Sequence, residues 1–300
     1  MAVVTDQRYR SLVADQLPAA EILSEPMGRN TAAAIALATV GFERPSDEVM
    51  LVLPADHEIR RADTFRAVLR AAAGLAEGCF DIAAPLVTLG IRVDRPATEY
   101  GYLRPDLGRG TDILGQPAYP LLAFEEKPTE ARALELLRES GVAWNAGIFA
   151  WRRRAIRDAL ERHTGLITLL EPLAGAEALE AAYDRVRPVS IDVAVMERAA
   201  ADHQVVMTAM NAGWSDLGSW SSLLMAIGAA GTGRVVQAGE PAAAGPDDLV
   251  VERADGRLTL FEGPRSILAS SPTALLSGAG GSRSQIEGLL ERVARQEVRA

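Results

Sequence analysis

An apolar run, Val49-Met-Leu-Val-Leu53, meets Pro54 and is followed at once by Ala55, Asp56 and His57. A proline cannot donate to a ladder, so a buried strand stops there and Asp56 is delivered to the sheet rim. Open α/β sheets hold ligands at the carboxyl ends of their strands, and a carboxylate there suits Mg²⁺ carrying a phosphate. The competing reading of Asp56 is an N-cap for a helix starting near Ala62. Asp216, in Gly213-Trp-Ser-Asp-Leu-Gly-Ser-Trp220, is either a second metal carboxylate or the cap of a helix beginning at Gly218. Lys127, in Phe124-Glu-Glu-Lys-Pro128, is a point charge suited to a phosphate or a solvated loop lysine. Asn145 can hydrogen-bond a sugar hydroxyl or make an Asx turn. Gly101, between Tyr100 and Tyr102, lets a backbone approach a ligand closely or marks a strand bulge. Arg29 and Asn30 offer planar donors and acceptors that fit a purine edge, with a plain helix-start loop as the rival. His57 reads as a satisfied structural side chain, and Arg152-Arg-Arg154 as a solvated face. Two carboxylates, a lysine, an asparagine and loop glycines, all at strand ends, form the inventory of metal-assisted phosphoryl or nucleotidyl transfer.

The elements that must position these groups alternate. Strands are expected at Ala2–Thr5, Glu21–Leu23, Val49–Leu53, Leu86–Arg92, Leu121–Glu125, Trp144–Trp151 and Val205–Met210. Helices are expected at Arg8–Gln16, Ala32–Val40, Asp63–Glu77, Thr129–Ser140 and Arg152–Arg162, in the broken stretch Leu166–Arg185, and opening at Ser190-Ile-Asp192. Asn30 or Thr31 can cap the second of these helices, leaving its first amides for an anion or a base edge. Residues 108–117 read as a loop. The pattern predicts an α/β fold, a doubly wound, mixed but mostly parallel sheet. Gly228 to Gly245 reads as a linker, Leu249 to Leu276 as short strands with Asp-Gly, Gly-Pro and Ser-Pro turns, and Ser284 to Glu297 as a closing helix. The expected division is therefore a domain over 1–228 and a small β-rich region over 229–300.

Composition narrows the chemistry. The net charge of −9 over 300 residues argues against a nucleic-acid partner, so a phosphorylated substrate needs a local cluster of cations. A single cysteine, Cys79, excludes an intramolecular disulfide and a cysteine-based zinc site. No run approaches the length of a membrane span and no leader pattern is read, so the expected setting is cytoplasmic, without a membrane partner.

Seven motifs in order then carry a resemblance: Glu25-Pro-Met-Gly-Arg-Asn-Thr-Ala-Ala-Ala34, Leu53-Pro-Ala-Asp-His57, Tyr100-Gly-Tyr102, Phe124-Glu-Glu-Lys-Pro128, Trp144-Asn-Ala-Gly-Ile-Phe149, Ser190-Ile-Asp-Val-Ala-Val-Met-Glu197 and Trp214-Ser-Asp-Leu-Gly-Ser-Trp220. Over residues 1 to about 225 the chain resembles the mannose-1-phosphate guanylyltransferase (GDP-mannose pyrophosphorylase) family. The resemblance implies a Rossmann-like nucleotide-diphospho-sugar transferase fold. It also implies transfer of GMP from GTP to mannose 1-phosphate, giving GDP-mannose and pyrophosphate by Mg²⁺-dependent in-line displacement. It assigns Mg²⁺ to Asp56 and Asp216 and the sugar phosphate to Lys127. Glu126, Asn145 and Gly101 would surround the mannose, and Arg29 and Asn30 would lie near the guanine. Asp192 would orient the sugar site or cap its own helix.

Two departures accompany the likeness. The family opens with a strand and a Gly-rich, Arg-containing phosphate loop that nothing here matches, residue 1 falling where the family's second strand begins. A start placed too late is the preferred expectation, beside a shortened inactive relative or a second chain supplying the piece; the chain as written is not expected to be a well-behaved active enzyme. The alternative function is accordingly a non-catalytic nucleotide-sugar-binding or regulatory relative. The carboxyl region matches the family's β-helical dimerisation element only loosely, which leaves a homodimer open.

Overall fold

The computed structural model describes residues 1–171 and 175–217 in full, together with the backbone of four strands between 250 and 278. The elements in chain order are β1 (Ala2–Asp6), α1 (Arg10–Gln16), β2 (Glu21–Glu25), α2 (Asn30–Gly41), β3 (Val49–Val52), β4 (Glu58–Ile59), α3 (Ala62–Ala76), β5 (Leu86–Arg92), β6 (Tyr102–Pro105), β7 (Thr111–Ile113), β8 (Gln116–Glu125), α4 (Glu130–Leu136) and β9 (Ala143–Arg152). They continue with α5 (Arg153–Thr164), α6 (Leu166–Leu170), α7 (Ala176–Arg185), a π-turn (Asp192–Met196), α8 (Glu197–Ala201), β10 (Val205–Met210) and β11 (Trp214–Ser215). Four strands follow: β12 (Val250–Arg253), β13 (Gly256–Gly263), β14 (Ser266–Ser271) and β15 (Ala274–Gly278).

Two compact units divide the chain. The first takes Met1–Pro54 and Arg61–Ala212, the second Ala55–Arg60 and Gly213–Ala300. A seven-stranded mixed sheet organises the first unit. Its spine is the pair β5 and β9, whose residues are nearly all buried because both faces are covered. Alternate residues feed one large core: Leu86, Phe149, Trp151, Val205 and Met207 point into a cluster built with α2, α5, α6, α7 and α8. The buried stripe of α3 (Val68, Ala71, Ala72, Leu75, Ala76) recurs at helical spacing outside that cluster, and α3 packs on β3, β5, β9 and β10. The helices thus cover both faces, as a doubly wound fold requires.

The sheet is mixed, but the expected parallel majority within it is corrected. Only β5 and β10 pair in parallel there, while β9 runs antiparallel to β3, β5 and β6, and β8 to β6, β7 and β10. The parallel pair β1–β2 forms a separate ribbon. Part of the difference lies in residues 108–117, expected as a loop. They hold β7 and a hairpin turn at Leu114 and Gly115, with φ of +52° and +80°. Positive φ at both central residues is the primed-turn geometry, which a leucine in the first place conceals in the sequence. Gly90 has a steric reason: a Cβ there would lie 2.4 Å from Met207 Cε and 2.9 Å from Ala143 Cβ, beside the irregularity in the β5–β9 register.

Arg153 is structural rather than solvated. Its Nε donates to the Thr39 carbonyl near the end of α2 at 2.9 Å, and its guanidinium also reaches the Arg44 carbonyl. In the second unit, β4 pairs with β11, and β12 to β15 form an antiparallel meander in chain order, as the turn signals predict. The expected linker, the boundary near residue 228 and the closing helix lie outside the described residues.

Candidate active site

Five of the expected residues, Asn145, Asp192, Glu126, Lys127 and Gly101, converge in the first unit. The carbonyl oxygen of the buried Asn145 side chain accepts from the Thr88 hydroxyl at 2.7 Å and from the Gly147 amide at 3.2 Å. Its Nδ2 donates to Asp192 Oδ1 at 2.8 Å. The Asx turn is therefore realised: Oδ1 closes it on the Gly147 amide, and Nδ2 reaches across to the π-turn. Asp192 is not a helix cap here, because its carboxylate is engaged by Asn145 and by the local turn around Ser190. Burial raises the Asp192 carboxyl above its usual range, against the pull of those hydrogen bonds and of Lys127.

Glu126 and Lys127 follow β8. Burial first, then the Asp192 and Glu197 charges, lift the Glu126 carboxyl to about 7, while Lys127 acts the other way. Lys127 Nζ stands 3.7 Å from Glu126 Oε1, and its side chain is largely exposed. Its φ of +46° is in the left-handed region, uncommon for a side chain with a Cβ. Gly101 lies against this group: a Cβ at 101 would sit 2.6 Å from Glu126 Oε2, and its carbonyl accepts from the backbone N–H of Asn145 at 2.7 Å. The glycine thus makes room for a carboxylate of the protein itself, rather than marking a bulge. Thr88 and Glu197 escaped the sequence reading. Thr88 is one more buried residue of an apolar strand, and Glu197 acts through its contact with the Glu126 amide, so neither carries a local signal.

The two remaining carboxylates belong to the second unit. The antiparallel register Ile59↔Trp214 and Glu58↔Ser215 runs on towards His57 and Asp216 at the open end of the ribbon, with Asp56 next along the chain. Trp214 Nε1 donates to His57 Nδ1 at 3.0 Å, with the rings edge to face at 5.3 Å. Burial holds the His57 imidazole below its usual value, while Asp56 and Asp216 both act on it in the opposite sense. Both carboxylates therefore bear on one ring, which stays a structural side chain as its sequence suggests. The N-cap of α3 is Arg61, with no side-chain cap bond, so the rival role of Asp56 as that helix's cap is not realised. The helix expected to begin at Gly218, the rival partner of Asp216, lies outside the described residues.

Among the described residues no group of three or more His, Cys, Asp or Glu side chains forms a metal cage. Two hard carboxylates just beyond the ends of the paired strands β4 and β11 still fit Mg²⁺, which keeps waters and phosphate oxygens in its shell and needs only one or two protein ligands.

Arg29 and Asn30 lie at the start of α2, whose Thr31 hydroxyl accepts from Ile191 N–H beside the π-turn. Arg29 Nε donates to the Tyr183 carbonyl at 2.8 Å, and its Nη2 lies 3.8 Å from Asp184. Asn30 Oδ1 accepts from the Thr31 amide at 2.7 Å, with Asn30 itself at φ +69°. The expectation that the first amides of α2 are free is corrected, since Thr31 N–H donates to Asn30 Oδ1 and Ala32 N–H to the Val189 carbonyl.

The chain is 39% identical over 244 residues to a mannose-1-phosphate guanylyltransferase of Escherichia coli (strain K12), covering 74% of this chain and 48% of that protein. It is 34% identical over 236 residues to the alginate biosynthesis protein AlgA of Pseudomonas aeruginosa, covering 74% and 47%. The chain thus spans about half the length of the curated relatives it matches. A crystal structure from Thermus thermophilus, titled mannose-1-phosphate geranyltransferase, superposes with a TM-score of 0.73 at 27% identity, covering 99% of this chain and 84% of that one. The mannose-6-phosphate isomerase of Helicobacter pylori superposes with a TM-score of 0.60 at 25% identity, covering 71% and 83%. No helix among the described residues is long and apolar enough to cross a membrane. The nucleotidyl transferase family model matches residues 1–231, more than three quarters of the sequence, and the chain belongs to that family.

Proposed function

We propose that the chain transfers GMP from GTP to mannose 1-phosphate, releasing pyrophosphate. The observation that carries the reading is the polar array of Asn145, Asp192 and Glu126 beside the exposed cation of Lys127. Hydroxyls need donors and acceptors fixed in place, and a phosphate needs a positive charge next to them. The identity with proteins named mannose-1-phosphate guanylyltransferases supports the choice of sugar and nucleotide.

In this reading Lys127 holds the sugar phosphate, while Asn145 and Glu126 bind mannose hydroxyls and Asp192 keeps the Asn145 amide turned toward them. Arg29 and Asn30 are assigned to the guanine side. A phosphate oxygen of mannose 1-phosphate attacks the α-phosphorus of GTP; the new P–O bond forms as the bond to pyrophosphate breaks. No covalent enzyme intermediate is needed, so the residues act by orientation and charge. Asp56 and Asp216 would hold Mg²⁺, whose charge stabilises the phosphates in the displacement.

The test is pyrophosphate release from GTP, Mg²⁺ and mannose 1-phosphate, run beside Asp216→Ala. Turnover that Asp216→Ala lowers by about a thousandfold is expected, the scale of a lost electrostatic partner in transfer chemistry. A folded chain that binds GDP-mannose without any turnover would instead be a binding or regulatory relative.

A further inference from the structure

The π-turn Asp192–Met196 runs directly into α8, which begins at Glu197. Its closing bond joins the Glu197 amide to the Asp192 carbonyl, five residues back. In an α-helix two residues five apart point about 140° away from each other. The wider turn brings them nearly one above the other, and such single turns are often found at functional sites. Both carboxylates then meet the same neighbourhood: Asp192 Oδ1 accepts from Asn145 Nδ2, and Glu197 Oε1 accepts from the Glu126 amide, each at 2.8 Å.

The second contact falls on a backbone that needs support. Lys127 has φ +46° and precedes Pro128, and both circumstances narrow what its backbone tolerates. The amide at the head of this turn is held by a side chain 71 residues away in sequence. A charged acceptor makes that bond stronger than a neutral one.

We infer that Glu197 is a positioning residue for the sugar-phosphate half of the site, fixing through the Glu126 amide the turn that presents Glu126 and Lys127. It acts through that turn and not on the substrate, and the π-turn is the device that aligns it beside Asp192. The inference rests on the assignment of Glu126 and Lys127 to mannose 1-phosphate made above.

Glu197→Ala removes the acceptor, whereas Glu197→Gln keeps an acceptor oxygen and removes only the charge. Pyrophosphate release with mannose 1-phosphate varied, and amide exchange at Glu126 and Lys127 followed by NMR, separate the two. For Glu197→Ala, KM for mannose 1-phosphate is expected to rise about tenfold with KM for GTP within about twofold. Exchange at the turn should quicken about tenfold in the same variant. Glu197→Gln should stay within about threefold of wild type in both readouts. An unchanged Glu197→Ala, or a Glu197→Gln that fails equally, overturns the inference. If Glu197→Ala loses protection throughout the molecule, Glu197→Asp, which withdraws the oxygen by one methylene, takes its place, and a wild-type KM there overturns the inference. Absence of turnover in the wild type would count against the transferase reading alone, since the exchange comparison still decides whether Glu197 holds the turn.

Discussion

Glu126 is a carboxyl whose environment departs far from that of a free side chain. Its carboxyl is held at about 7 by burial, with Asp192 and Glu197 adding repulsion and Lys127 opposing them. A carboxyl raised in the folded state is more protonated there than in the unfolded chain. Its contribution to stability is therefore full below about 4.5 and is lost as pH rises through about 7. The loss is on the order of 3 kcal/mol. Glu126→Gln should flatten this part of the curve: its melting temperature should exceed wild type at pH 8 and not at pH 4, while affinity for mannose 1-phosphate falls. A melting series in which the two proteins stay parallel from pH 4 to 8 would remove Glu126 as the titrating group. Gly101→Ala places its Cβ against the same carboxylate, 2.6 Å from Oε2. About a tenfold rise in KM for mannose 1-phosphate, with little change for GTP, is the expected result in steady-state kinetics. Lys127 and Asn145 were legible because their types and strand-end placement suit a phosphate and a sugar. That burial would lift the Glu126 carboxyl to about 7 was not legible, because desolvation depends on what folds over it.

At the scale of elements, β5 and β9 hold the site by their register. Thr88 stands on β5, and the irregularity between Thr88 and Gly90 brings its hydroxyl onto Asn145 of β9. Thr88→Val keeps the shape and removes the hydroxyl, leaving the Asn145 carbonyl with the Gly147 amide alone. A buried polar group that loses one of its partners costs about 1–3 kcal/mol. Chemical denaturation should show a loss of that size, and sugar-phosphate binding should weaken with it; Thr88→Ser should restore both in part. Equal stability and binding in Thr88→Val would mean that the bond is incidental. The strands β5, β9 and β10 could be read from their apolar runs with little error at the ends. Their directions could not, since the same run serves a parallel or an antiparallel neighbour once both faces are buried. The π-turn was equally hidden: Ser190-Ile-Asp192 signals a helix start and nothing in it specifies a wider turn.

For the whole molecule, the ordering of motifs matters more than any single one. Each unit carries its own share of the proposed chemistry: Glu126, Lys127, Asn145 and Asp192 in the first, Asp56 and Asp216 in the second. An ion held by one or two carboxylates at a sheet rim, with water completing its shell, adds little to folding. Chelation with EDTA is therefore expected to abolish pyrophosphate release and to shift the melting temperature by less than about 2 °C. A melting temperature that drops further would reveal a structural ion. By itself the sequence determined the α/β class, the places of β1, β2, β3, β5, β8, β9 and β10 along the chain, the family resemblance and the types of side chain offered at strand ends. These follow from local periodicity, from proline and glycine punctuation, and from the chemistry of single residues, all of which are written along the chain. Only the tertiary structure decided the antiparallel balance of the sheet, the occupied amides at the start of α2, the pairing of Trp214 with His57, and the supporting roles of Thr88 and Glu197. Those depend on contacts between residues far apart in sequence, and burial, register and hydrogen-bond satisfaction arise only when such residues meet.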